Sequence, residues 1–223
     1  MSQEHIVAQF DADLDKIKSK IVEMGQMVIS QISDATTALT DFDADKVDSL
    51  VALDRRINGM NKEIHTMAEQ LIALRQPMAL DLRQALSPIN IAGELERIGD
   101  HAKSTAKKSR KLAQGDYHDT LVKVIRDMSS MVQSMLSDIL TAYTQSDLKQ
   151  AADVRMRDKD VDGLNKSVFA TAIAAIQTAP DDAEAFMHLV IMARNFERVG
   201  DHVVNISRYV HQTVTGEDLK ASV

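Results

Sequence analysis

An internal duplication constrains this chain more than any other feature of its sequence. Residues 96–101, Glu-Arg-Ile-Gly-Asp-His, recur 101 positions later at 197–202, with only Ile replaced by Val. At an offset of 104, residues 27–64 and 131–168 share 13 identical residues in 38 positions, whereas unrelated sequences of average composition share on the order of two or three. The chain is therefore predicted to contain two copies of one supersecondary unit, residues 1–113 and residues 114–223.

Each copy is predicted to form three long helices joined by short polar loops. In the second helix of the first copy, apolar residues alternate at spacings of three and four, which is typical of near-parallel helix packing. These residues are Leu50, Leu53, Ile57, Met60, Ile64, Met67, Leu71 and Leu74. Pro77 and Pro180 suit the first turn of the third helix, and Pro88 is expected to kink that helix in the first copy. The predicted fold class is all-α, with two tandem antiparallel three-helix bundles.

The composition supports this fold class and argues against several functions. Three prolines, eight glycines and 4% aromatic residues favour helices over sheets. Without cysteine the chain can form neither a disulfide nor a thiolate metal site. A net charge of -7 argues against nucleic-acid binding, and the chain has no apolar run of about 18 residues for a membrane span. We therefore expect a cytoplasmic protein that neither binds nucleic acid nor inserts into a membrane.

Pairs of oxygen-bearing side chains recur at a spacing that brings them to one helix face. Residues four positions apart are separated by about 400° around a helix, so they lie one above the other. The third helix of each copy carries one such pair, and the second helix carries another. The four pairs are Asp54 with Asn58, Glu96 with Asp100, Asp158 with Asp162, and Glu197 with Asp201.

Neighbouring helices of a bundle can bring these pairs face to face in each copy. Clustered anions repel one another unless a cation lies between them. The pattern therefore predicts one metal site per copy for a hard cation such as Mg, Mn, Ca or Fe, or for Zn, with room for more than one ion.

A simpler interpretation of each pair is also open. A single acidic pair at this spacing usually lies on a solvated helix face, and only the register of four pairs across the duplication favours metal binding. Gly99 and Gly200 recur beside the pairs, either because two helices approach closely there or because a ligand needs access.

Five further side chains are candidates for positions around the ligands. Arg97 and Arg198 either hold the carboxylates or face solvent. His101 and His202 lie about 100° further round the helix than the neighbouring aspartates, which favours an exposed position or one behind the ligands over direct ligation. His65 lies near the acidic stripe of the second helix, although a phenylalanine takes its place in the second copy.

Taken together, these motifs resemble the PhoU family. The resemblance rests on the duplicated Glu-Arg-[Ile/Val]-Gly-Asp segment, on the paired residues of the second helices, and on the residues 75–77 (Arg-Gln-Pro) and 81–83 (Asp-Leu-Arg). It extends over residues 8–216 and implies two three-helix bundles, each with a multinuclear metal site. Asn58 departs from the acidic pattern, so the first site has one negative charge fewer and is expected to bind metal more weakly or to prefer another ion.

The resemblance also implies a function in phosphate signalling in the bacterial cytoplasm. Family members are similar in repressing the phosphate-starvation regulon when phosphate is plentiful, by linking the Pst phosphate ABC transporter to the sensor kinase PhoR. We therefore expect a non-enzymatic adaptor that forms a homodimer, modulates phosphate uptake, and has the transporter ATPase and a PhoR-type histidine kinase as partners. Two alternatives stay open: a transporter accessory protein without a signalling role, and a di-metal carboxylate enzyme. Ferritin-like enzyme sites carry Glu-x-x-His pairs, which differ from the spacing seen here.

Overall fold

The computed structural model describes residues 3–112 and 119–218. Within these residues the chain forms six long helices and no strand. Helix α1 spans Gln3–Thr37, α2 Ala44–Arg75, α3 Leu80–Leu112, α4 Asp119–Gln145, α5 Leu148–Thr178 and α6 Ala183–Thr215. This arrangement confirms the all-α class. The predicted boundary between the two copies, at residues 113 and 114, lies outside the described residues.

An aspartate caps the start of the second helix in each copy. Asp43 Oδ1 accepts hydrogen bonds from the amides of Asp45 and Lys46 at 2.9 and 3.1 Å. Asp147 does the same at the start of α5, accepting from two backbone amides at 2.9 and 3.0 Å. Such caps satisfy amides that have no partner within the helix and contribute about 0.5–2 kcal/mol each. Both helices begin with amides that need an acceptor, which explains why the aspartate is identical in the two copies.

The prolines before the third helices lie outside the long helices. Pro77 precedes the first residue of α3 by three positions, because Ala79 has a left-handed φ of 50° that prevents an earlier start. Pro180 begins a short 3-10 turn, Pro180–Asp182, that leads into α6. The prediction that these prolines occupy the first turn of the third helix is therefore wrong for Pro77, whereas Pro180 begins the 3-10 turn that continues directly into α6. Pro88 does lie inside α3 and is buried there, and the expected kink stays a prediction.

Two bundles share one continuous apolar core. Helices α1, α2 and α3 pack together, as do α4, α5 and α6, while α3 contacts α6 and α1 contacts α4. The predicted seam of α2 is largely buried, although Leu74 at its end is 74% exposed. Among the described residues, α2 contacts only α1 and α3. The grooves between α2 and α3, and between α5 and α6, therefore lie on the outer side of the molecule.

Two arginines hold the corner between α2 and α3. Arg75 Nη2 donates to Asp13 Oδ2 at 3.1 Å, which ties the end of α2 to α1. Arg83 Nε donates to the carbonyl of Thr213 at 3.2 Å, which ties the start of α3 to α6. These residues of the Arg-Gln-Pro and Asp-Leu-Arg segments thus have structural contacts. In the part of the chain that the structure describes, no helix combines the length and apolarity needed to span a bilayer.

Replacing Phe196 by alanine should destabilise the fold strongly. Phe196 lies fully buried on α6, and truncating a buried phenylalanine typically costs about 3–5 kcal/mol. Urea denaturation followed by circular dichroism measures the loss. Phe169→Ala, at a phenylalanine that is 54% exposed, is the matched control and should cost much less. Equal losses in the two variants would contradict the position of Phe196 in the core.

Candidate metal centres

The first cluster lies between α2 and α3 and comprises Asp54, Asn58, Glu96 and Asp100. Asp54 is only 5% exposed, although it carries a carboxylate. Burial, together with the negative charges of Asp100 and Asp54, raises the pKa of Glu96 above its ordinary value. The structure therefore brings three carboxylates from two helices close enough to interact. Asp54 Oδ1 and Asn58 Oδ1 are buried and have no hydrogen-bond partner.

A lysine lies inside the first cluster. Lys103 Nζ is 2.8 Å from Asp54 Oδ2 and 2.5 Å from Asp100 Oδ1. Burial favours the neutral amine, but the hydrogen bonds to Asp100 and Asp54 outweigh it and hold the pKa of Lys103 above its ordinary value. The ammonium group therefore stays charged and neutralises part of this cluster.

The second cluster lies between α5 and α6 and comprises Asp158, Asp162, Glu197 and Asp201. Burial raises the pKa of Asp158 to about 7, and the negative charges of Asp162, Asp201 and Glu197 add to the effect. Burial, followed by the charge of Asp201, also raises the pKa of Glu197. The four predicted carboxylates are thus close enough to repel one another.

Two oxygens of the second cluster are buried without a hydrogen-bond partner. They are Asp158 Oδ1 and Glu197 Oε2, and Glu197 as a whole is 9% exposed. A buried polar atom without a partner costs about 1–3 kcal/mol, and more when it carries charge. A cation placed between α5 and α6 would remove that cost.

Glycine at position 200 allows α6 to lie against the carboxylate of α5. A Cβ atom at Gly200 would collide with Asp158 Oδ1, and one at Gly99 would come within 3.2 Å of Gln31 Oε1. Of the two explanations for the repeated glycine, close helix contact therefore accounts for both positions.

The two arginines of the repeated segment have different environments. Arg198 Nη1 lies 3.4 Å from Asp201 Oδ2 and its Nε lies 3.8 Å from Glu197 Oε2. Arg194 Nη1 also contacts Glu197, at 2.5 Å from Oε1. Both guanidinium groups are about half exposed, so they screen the outer edge of the second cluster. Arg97 instead lies 3.6 Å from Glu94.

The histidines lie at the contact between the two bundles. The rings of His101 and His202 have centroids 5.5 Å apart, and His202 Nδ1 is 2.6 Å from Glu94 Oε2. Burial, followed by the charge of His202, lowers the pKa of His101. Glu94 is buried, which by itself raises its pKa, yet hydrogen bonds from His202 and Asn205 bring that pKa below its ordinary value. These contacts join the histidines to Glu94 and to each other, and their role around the candidate ligands stays a prediction.

His65 is too far along α2 to join the first cluster. It lies seven residues beyond Asn58, and a helix rises about 1.5 Å per residue, which separates the two by about 10 Å. Among the described residues, His65 forms no hydrogen bond or ion pair with an acidic residue of either cluster, and its role beside the metal stays a prediction.

The duplication could not reveal two residues of this region. Lys103 aligns with Val204, and Glu94 aligns with Asn195. A search for residues that are identical in the two copies therefore does not find Lys103 or Glu94. A search for charge differences between the aligned copies would have found them.

The family of the chain follows from comparison with known proteins. The model of the PhoU domain matches residues 21–109 and 125–210. The chain belongs to the PhoU family. The two matched segments correspond to the two predicted copies, and the PhoU fold therefore accounts for the duplicated helical bundles.

Relatives cover nearly the whole PhoU chain. The phosphate-specific transport system accessory protein PhoU homolog of Caulobacter vibrioides is 38% identical over 216 residues, which are 97% of this chain and 94% of that protein. The homolog of Clostridium acetobutylicum is 33% identical over 94% of this chain and 96% of its own.

Solved PhoU structures share the fold. The crystal structure of PhoU from Pseudomonas aeruginosa superposes with a TM-score of 0.88 at 31% identity, covering 93% of this chain and all of that one. The phosphate transport system regulatory protein PhoU from Streptococcus pneumoniae gives a TM-score of 0.87. Because its sequence identity is 24%, it supports the fold alone.

The two clusters of this PhoU protein differ in how well they suit a metal ion. The second cluster offers four carboxylates and two buried oxygens without partners, which is a donor set for a hard cation. In the first cluster Lys103 already contacts two of the three carboxylates. Within residues 3–112 and 119–218, no three His, Asp or Glu side chains are already arranged as metal ligands. Side-chain rotation would have to precede metal binding, and the metal sites stay a prediction.

Asp158→Asn should stabilise the metal-free protein at pH 8 but not near pH 4. The pKa of Asp158 rises from 3.8 to about 7 on folding. Between these values the folded protein keeps a proton that the unfolded chain releases, so stability falls as the pH rises from about 4 to about 7 and then levels off. Asparagine carries no charge and removes this loss.

The measurement is the difference in urea midpoint between variant and wild type from pH 4 to pH 8, with chelator present. Asp160→Asn, at an exposed carboxylate of the same helix, is the control and should give a constant difference. A constant difference for Asp158→Asn as well would contradict the raised pKa.

Proposed function

We propose that this protein is a non-enzymatic accessory protein of phosphate-specific transport. The observation that carries the proposal is the match over 97% of the chain to a relative named as an accessory protein of that system. The duplicated bundles and the family match over both copies support the same assignment.

The finer part of the proposal is a regulatory function. The protein would repress phosphate-starvation genes when phosphate is plentiful, by contacting both the Pst transporter ATPase and a PhoR-type histidine kinase in the cytoplasm as a homodimer. Exposed apolar side chains support contacts with other proteins. They include Leu74 and Met78 at the corner between α2 and α3, which are 74% and 80% exposed, and Phe169 on α5.

Deleting the gene should raise expression of a phosphate-starvation reporter in phosphate-rich medium. The expected increase follows because the kinase would lose the contact that keeps it in its phosphatase state. Reintroducing the wild-type gene is the control and should restore repression. Unchanged reporter expression would contradict the regulatory function, and co-purification with the Pst ATPase but not with the kinase would favour the accessory role without signalling. Oxygen consumption or phosphate release by the metal-loaded protein would favour the di-metal enzyme.

We also propose that metal ions, divalent or trivalent, bind at the acidic clusters, above all at the second, with Fe, Zn, Mn and Mg as candidates. In the second cluster the ligands would be Asp158, Asp162, Glu197 and Asp201. A bound ion would supply positive charge that relieves repulsion among these carboxylates and holds α5 against α6. The donor set and the buried oxygens without partners support this role.

Asp201→Ala should lower the metal content of protein purified without chelator. Removing one of four carboxylates weakens both the charge and the coordination of the site. Elemental analysis of wild type and variant measures the loss, with Asp100→Ala reporting on the first cluster and Asp160→Ala as the surface control. Equal metal content in all four proteins would contradict the assignment of these residues as ligands.

A further inference from the structure

Besides the exchange of Asn58 for Asp162, the aligned copies differ in charge at one more position beside the acidic clusters. Lys103 lies seven residues after Glu96 and three after Asp100, and Val204 has the same spacing from Glu197 and Asp201. Residues separated by three, four and seven positions share one face of a helix. Lysine in the first copy and valine in the second therefore occupy equivalent places beside their acidic pairs.

The lysine is built into the first cluster rather than lying on its edge. Its side chain is 22% exposed, and its ammonium group bridges Asp54 of α2 and Asp100 of α3 at 2.8 and 2.5 Å. The carboxylate of Asp54, only 8% exposed, thus has a protein cation as its partner. Because Asn58 is neutral, a single positive charge offsets a larger share of the charge here than it could in the second cluster.

The second cluster has a different charge balance. It contains four carboxylates, and valine replaces the lysine. Its nearby guanidinium groups belong to Arg194 and Arg198, which are half exposed and contact Glu197 and Asp201 from the outer edge. Arg208 of α6 adds positive charge that acts on Asp158. Asp158 Oδ1 and Glu197 Oε2 are buried without a hydrogen-bond partner, as Asp54 Oδ1 and Asn58 Oδ1 are in the first cluster. The contrast between the clusters therefore lies in the lysine and not in the buried oxygens.

We infer that Lys103 takes, in the first cluster, the place of a metal ion, so that the second cluster is the cation-binding site of this chain. This inference rests on the proposed metal role of the clusters. The ammonium group and a hard cation compete for the same atoms, Asp54 Oδ2 and Asp100 Oδ1. The residue at positions 103 and 204 then decides which copy binds metal.

Exchange of the two residues tests the inference with Mn²⁺ as the probe. In equilibrium dialysis of the full chain, the wild type should bind Mn²⁺. The Asp201→Ala variant should lose this binding, and the Asp100→Ala variant should keep it. Lys103→Val should bind additional Mn²⁺, and Val204→Lys should bind at least about tenfold more weakly, since ligand charge sets affinity over orders of magnitude. Lys107→Val, at an exposed lysine of the same helix, is the control and should match wild type.

Two results would overturn the inference. The first is unchanged Mn²⁺ binding in Lys103→Val when Asp201→Ala shows the expected loss. The second is a loss of binding in Asp100→Ala that equals or exceeds the loss in Asp201→Ala. If neither variant loses Mn²⁺, the proposed metal role itself fails.

A second measurement needs no metal. With chelator present, Lys103→Val should unfold at a lower urea concentration than Lys107→Val, because it leaves the buried Asp54 carboxylate without its cation. The double variant Lys103→Val with Asp54→Asn should have a higher urea midpoint than Lys103→Val alone, because it no longer contains the buried carboxylate. Equal midpoints for Lys103→Val and Lys107→Val would overturn the role of Lys103 as the internal cation, whatever the metal measurements give.

Discussion

The burial of α3 and α6 along two faces is the constraint on which the rest of the structure depends. Each of these helices packs within its own bundle and also against the other, so apolar residues such as Ile98 and Phe196 are fully buried. This double contact leaves α2 and α5 on the outside, where α2 contacts only α1 and α3 among the described residues. The acidic pairs of the third helices face these outer helices, and the clusters therefore form at grooves rather than in the core.

Electrostatics then makes the two copies unequal. A carboxylate held at a helix contact loses solvation, and its neighbours of like charge add to the cost. In the first copy the ammonium group of Lys103 lies beside the carboxylates of Asp54 and Asp100 and reduces this cost. In the second copy valine stands at the equivalent position, and burial with the charges of Asp162, Asp201 and Glu197 raises the pKa of Asp158 to about 7. One backbone arrangement thus supports two different charge balances.

The sequence predicted the fold and the grouping of the acidic residues because both follow from local periodicity. Apolar spacing identified the seam of α2, and the four-residue spacing placed each acidic pair on one face. Pro77 was misplaced because the left-handed turn at Ala79 has no marker such as glycine. Lys103 and Glu94 were missed because repeat analysis finds what two copies share, whereas their roles depend on how the copies differ.

By itself, the sequence determined the all-α class, the duplication, the PhoU resemblance and the helix faces that carry carboxylates, because a helix has a known period. Only the tertiary structure decided which charges meet. Lys103 and Asp54 are 49 residues apart and His202 and Glu94 are 108 residues apart, so no local pattern pairs them. Their contacts depend on the packing of α3 against α2 and α6, and that packing distinguishes a carboxylate neutralised by the protein from one that is left unpaired.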